Sequence, residues 1–88
     1  MEGKKYTVNL KPDAKKALAV LDSHNRKQVI KRLIQLEADP YNDAKKLKGS
    51  EFWRVRVGDF RIIYTIDKGI LLVLVIRIGF RKDVYKTL

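Results

Sequence analysis

The chain has 88 residues, of which 45% are hydrophobic, and a formal net charge of +10 from 20 Lys and Arg against 10 Asp and Glu. That length can hold one core without metal or disulfide support, and the hydrophobic fraction excludes a disordered chain. With no cysteine, a disulfide framework and thiolate metal sites are excluded as well. A single domain over residues 1–88 is therefore expected, and its positive charge calls for RNA, DNA or an acidic protein as partner.

The opening MEGKKYTVNL has no apolar stretch of signal-peptide length, and the longest apolar run, Ile70 to Ile76, is too short to span a bilayer. A soluble, cytoplasmic protein with no membrane partner is expected. Lys5 to Leu10 reads as a strand, with Tyr6, Val8 and Leu10 alternating against Thr7 and Asn9. Pro12 suits the first turn of a helix, and Ala14, Ala17, Leu18 and Leu21 follow as one apolar stripe. A break over Asp22–Asn25 precedes a second helix, for which Asn25 and Gln28 resemble a capping box. Its buried face is expected to comprise Val29, Ile30, Leu33, Ile34 and Leu36. It should end near Ala38, because Pro40 disfavours helical geometry at Asp39.

A loop through Asn42, Lys46 and Gly49 leads to FWRVRVGDFRIIY, two alternating runs joined at Gly58-Asp59. Folding there as a two-residue hairpin pairs Val57 with Phe60, Val55 with Ile62 and Trp53 with Tyr64 on the core face. Arg54, Arg56 and Arg61 then share the other face, with Arg56 and Arg61 directly opposite. Like charges so placed are destabilising, and holding phosphates is the obvious use for such a pair. Asp67-Lys68-Gly69 gives a second turn, with Gly69 available for a left-handed position. The run Ile70 to Ile78, apolar except at Arg77, suits an interior strand. The sum is an α+β fold: an N-terminal strand, a helical hairpin, then a three-stranded antiparallel meander, with helices on one face of a four-stranded sheet.

The strings KLKGSEFWRVRVGDFRIIYTID and VLVIRIGFRKDVYK, with their LKG and terminal GxRxDVY, resemble the RelE/ParE superfamily of toxin–antitoxin toxins. The resemblance implies one of two activities. RelE-like members are ribosome-dependent endoribonucleases that cut mRNA in the A site and inhibit translation. ParE-like members share the fold, lack the basic catalytic set and poison DNA gyrase. A catalytically degenerate toxin that retains only antitoxin binding is a further alternative. Carried over by position, the catalytic set falls on Arg54, Arg56, Arg61, Arg81 and Tyr85. Phe80 stands where many relatives have a histidine before the arginine. The implied partners are a cognate antitoxin and the ribosome with its mRNA and rRNA, and the free protein is expected to be monomeric.

Metal-free RNA cleavage needs a deprotonated 2′-hydroxyl, a stabilised phosphorane and a protonated 5′-oxygen. The four arginines suit the second task, and Tyr85 could act as an acid or stack on a base. Its structural alternative is an aromatic packed on the end of the sheet. Arginine stays protonated, so no general base stands out. The only histidine, His24, reads as a solvated loop residue, and the aspartates fall at caps and turns. No metal or other cofactor is expected. Lys45, Lys46 and Lys48 adjoin the expected site as RNA-binding candidates, whereas Trp53 belongs to the core.

Overall fold

The computed structural model describes residues 5–86 as two helices laid on one face of a mixed sheet. Strand β1 (Thr7–Leu10) is followed by α1 (Pro12–Ala19) and α2 (Ser23–Ala38), then by β2 (Lys45–Lys46), β3 (Trp53–Val57), β4 (Phe60–Asp67), β5 (Leu72–Phe80) and a 3-10 helix at Arg81–Tyr85. The spatial order is β1-β5-β4-β3-β2, giving five strands rather than four. The additional strand is Lys45–Lys46, expected as loop, which pairs antiparallel with Arg54 and Trp53. Strand β1 runs parallel to β5, so β5 is interior, as its apolar sequence requires.

The β3–β4 hairpin has the expected register, with Trp53 opposite Tyr64, Val55 opposite Ile62, Arg56 opposite Arg61 and Val57 opposite Phe60. Gly58 carries φ 59°, a value that glycine supplies without steric cost at the first central position of a II′ turn. The next turn departs from expectation. Its left-handed residue is Leu71 (φ 54°), not Gly69. The Asp67 carboxylate organises this turn instead, accepting from the Gly69 and Ile70 amides at 3.0 and 3.2 Å.

The core joins Ala14, Val29, Leu33 and Leu36 of the helices to Val55, Ile62, Tyr64, Val73, Val75 and Ile78 of the sheet. Trp53 packs against this cluster and meets Tyr41 edge to face at 5.2 Å. Two expected members of the α2 stripe are exposed, Ile30 at 39% and Ile34 at 59%. At 100° per residue they sit 100° and 140° around the helix from Val29, past the sector that faces the sheet. The α2 cap also differs. Helix begins at Ser23, so His24 lies exposed in its first turn rather than in a loop, and Asp22 takes the N-cap position. Asn25 is helical, and its side-chain amide donates to the Asp22 carboxylate at 2.6 Å. Arg26 closes the helical hairpin by donating to the carbonyl of Leu21 at 2.6 Å.

Candidate functional site

The register lays the basic side chains in cross-strand rows on the sheet face away from the helices. Because side chains alternate along a strand, residues paired with Arg54 and Arg56 share their face. One row reads Lys45, Arg54, Ile63, Arg77 across β2, β3, β4 and β5. The adjacent row reads Arg56, Arg61, Gly79. No carboxylate falls in either row. Ile63, fully buried yet outside the helical core cluster, gives this face an apolar floor.

The 3-10 helix closes one end of the face. Val84 is 4% exposed, and a Cβ at Gly79 would meet its side chain at 3.4 Å, so the helix sits directly over the glycine opposite Arg61. The Arg81 amide donates to the Asp59 carbonyl at 2.8 Å, tying this helix to the β3–β4 turn. Arg81 is exposed, with its guanidinium 5.7 Å from the Phe80 ring centroid. Phe80 in turn meets Phe60 edge to face at 5.7 Å. Tyr85 is 37% exposed, and Val84 rather than Tyr85 packs the end of the sheet.

Placement separates the three lysines. Lys45, opposite Arg54, shares the basic face, whereas Lys46, opposite Trp53, lies on the reverse side of the same short strand. Lys48 is exposed in the turn between β2 and β3. Arg56 and Gly58 also line an open cleft of about 300 Å³ with Gln28, Lys31, Arg32 and Gln35 of α2. Arg32 is partly committed there, donating to the Asn42 carbonyl at 2.7 Å.

One basic residue escaped the sequence reading. Arg77 appeared only as the exception in an apolar strand. A register shift between Ile63 and Tyr64 pairs Ile63 with Arg77 and Tyr64 with Val75, leaving Ile76 as the bulged residue. That bulge brings Arg77 onto the basic face. A single charge inside an apolar run was the available signal.

The perturbed tyrosines lie away from this face. Burial pushes the Tyr64 hydroxyl well above the ordinary tyrosine range, with the Arg32 charge opposing the shift. That hydroxyl donates to the Pro40 carbonyl at 2.7 Å, a structural role. Desolvation, with a hydrogen bond to Tyr41 as a smaller cause, also raises Tyr6. Among the described residues, no group of three His, Asp or Glu side chains converges as a metal site would, and no helix is long and apolar enough to cross a membrane.

Comparison with known proteins accords with this architecture. The model of the ParE toxin of type II toxin–antitoxin systems (parDE) matches residues 8–85. A search of curated proteins gives no match. Among solved structures, the RelBE2 toxin–antitoxin complex of Mycobacterium tuberculosis contains a similar chain, 25% identical with a TM-score of 0.81, over 88% of this chain and 99% of that one. The isolated E. coli RelE toxin is 27% identical with a TM-score of 0.77, over 91% of this chain and 90% of that one. The YoeB/ParE toxin from Agrobacterium tumefaciens shares the fold at 14% identity and a TM-score of 0.75, over 85% of this chain and 98% of that one. With the family model covering nearly the whole described fold, the chain belongs to the ParE toxin family of type II toxin–antitoxin systems, within the RelE/ParE superfamily.

Proposed function

We propose that residues 1–88 act as one toxin domain, a ribosome-dependent endoribonuclease that cuts mRNA in the A site and is restrained by a cognate antitoxin. The observation that carries this reading is the Arg56–Arg61 pair. Two guanidinium groups stand opposite each other on an open sheet face, beside Arg54 and the 3-10 helix that carries Arg81. An arrangement that costs stability without a ligand is explained by a polyanionic one.

In the proposed reaction the 2′-oxygen attacks phosphorus in line, and the P–O5′ bond breaks. The products are a 2′,3′-cyclic phosphate and a 5′-hydroxyl. Arg54, Arg56, Arg61 and Arg81 stabilise the charge developing on the phosphorane, and Tyr85 donates a proton to the leaving 5′-oxygen or stacks on the adjacent base. Lys45 and Lys48 hold the RNA backbone beside the site, with Lys46 at its reverse rim. Arginines cannot take the 2′-proton, so it leaves to water, and the ribosome supplies the in-line orientation, worth roughly 7–11 kcal/mol in favourable intramolecular cases. Toxin–antitoxin complexes among the structural neighbours support an antitoxin partner for this chain.

The test is purified protein added to programmed ribosomes, with naked messenger as control and the cut ends mapped. Cleavage on ribosomes alone, abolished by Arg61→Ala, is expected. Intact messenger in both samples overturns the nuclease reading. The matching family model bears the ParE name, so a DNA gyrase supercoiling assay on the same preparation is then the deciding measurement.

A further inference from the structure

The basic face does not end at the arginines of the hairpin. Arg77 continues the Lys45–Arg54–Ile63 row onto β5, roughly 14 Å from Lys45 at three interstrand spacings. Beyond it, β1 has stopped pairing at Val75, and the chain turns into α1. An open cavity of about 260 Å³ forms at that corner, lined by Lys11, Pro12, Asp13, Ile76 and Arg77. It combines two cations with one carboxylate at the edge of a basic surface.

The Arg77 guanidinium is held rather than free. Its Nη1 donates to Asp13 Oδ2 at 2.8 Å, while its Nε is sealed from solvent without a partner. The Arg77 side chain is 27% exposed and that of Asp13 67%. Asp13 lies in the first turn of α1, where the helix dipole favours its negative charge without help from Arg77. The carboxylate side of the pair stands in solvent, which screens the attraction there. The bulge at Ile76 sets where the Arg77 side chain leaves the sheet, its Nε is out of solvent, and the exposed carboxylate accepts from its Nη1.

We infer that Arg77 and Lys11 form a second phosphate-binding subsite, which takes a phosphodiester of the RNA strand away from the cleaved bond, and that Asp13 is the displaceable carboxylate occupying Arg77 when RNA is absent. This inference rests on RNA as the substrate proposed above. The planar fork of arginine matches two phosphate oxygens, and a phosphodiester brings the same charge to Arg77 that Asp13 supplies in the free protein. Asp13 therefore competes with RNA, and removing it strengthens binding.

The test is fluorescence anisotropy of a labelled single-stranded oligonucleotide with 2′-deoxy sugars, which binds but offers no 2′-hydroxyl for cleavage. Arg77→Gln is expected to weaken binding and reduce the slope of log K against log salt by about one, with Arg77→Lys restoring the slope. Asp13→Asn is expected to strengthen binding several-fold. Asp22→Asn, in the turn between the helices and outside the Arg77 cavity, makes the same charge change and should do much less. Opposite signs for Arg77→Gln and Asp13→Asn distinguish a subsite from a structural pair, whose two variants would lose binding together. Loss of binding in both, or an Asp22→Asn gain equal to that of Asp13→Asn, overturns the inference. Weakened binding of a polyglutamate probe by Arg77→Gln, with oligonucleotide binding unchanged, would overturn it in favour of an acidic protein ligand. Because the probe is not cleaved, its result is independent of the ribosome assay.

Discussion

In the proposed site, the Arg56–Arg61 pair sets RNA binding against stability. The two residues occupy a directly opposed register position, where like charges are unfavourable and cross-strand terms run about 0.2–1 kcal/mol. Arg61 is half-buried, so its aliphatic stem also covers part of the face, and glutamine is the substitution that removes charge while keeping most of that stem. Arg61→Gln is expected to hold or raise the unfolding midpoint while cleavage on ribosomes falls by about 10²–10³, the usual cost of losing one preorganised donor to a transition-state oxyanion. Thermal melts and a cleavage time course on one preparation check both halves. A large drop in stability would mean that Arg61 serves packing first. This pair was legible in the sequence because strand alternation and the Gly58 turn together allow one register. Arg77 was not legible, because its facing depends on a bulge opposite Ile63 and Tyr64 that no local residue pattern announces.

Among the elements, α2 shows how far periodicity reaches. Its stop before Pro40 followed from the sequence, but it starts at Ser23, inside the expected break, and its buried stripe is narrower than the apolar residues allow. The sheet beneath accepts Val29, Leu33 and Leu36, so Ile30 and Ile34 remain in solvent although their residue types match. Hydropathy alone cannot distinguish these sets, since only the angle at which the helix meets the sheet selects between them. The two sets make contrasting predictions. Leu36→Ala should destabilise by about 2–5 kcal/mol through lost transfer energy and a cavity. Ile34→Ala, on the exposed flank, should stay within about 0.5 kcal/mol of the parent. Urea titrations measure both, and comparable losses would place Ile34 in a contact absent from this packing. The cap and the second turn escaped for a related reason. Asn25 and Gly69 suit the roles expected of them, but Asp22 holds the N-cap position one turn earlier, and Leu71 takes the left-handed position in a turn held by the Asp67 carboxylate.

For the whole molecule, the helices cover one sheet face and leave the other to cations. Chain order already implied helices on one side, but the partner of β1 was not written in it, because a parallel strand contributed from the far end of the chain leaves no local mark. The short Lys45–Lys46 strand was hidden too, since two charged residues carry no alternation to detect. The result is a chain with net charge +10 and, among its described residues, two ion pairs, Arg77–Asp13 and Lys86–Asp83. Repulsion among the remaining cations then outweighs attraction in the folded state, and added salt screens it as the Debye length falls from about 10 Å at 0.1 M to about 3 Å at 1 M. The free energy of unfolding in urea, which is uncharged, is therefore expected to rise as NaCl goes from low to about 0.5 M. RNA affinity should fall over the same range, because each phosphate contact releases counterions less favourably. Stability that fell with salt would show attractive pairs dominating the fold. Stability that rose while affinity stayed constant would mean that the cations repel one another but do not hold phosphates. The two curves must cross in opposite directions if the basic face is maintained, against its own repulsion, for a polyanion.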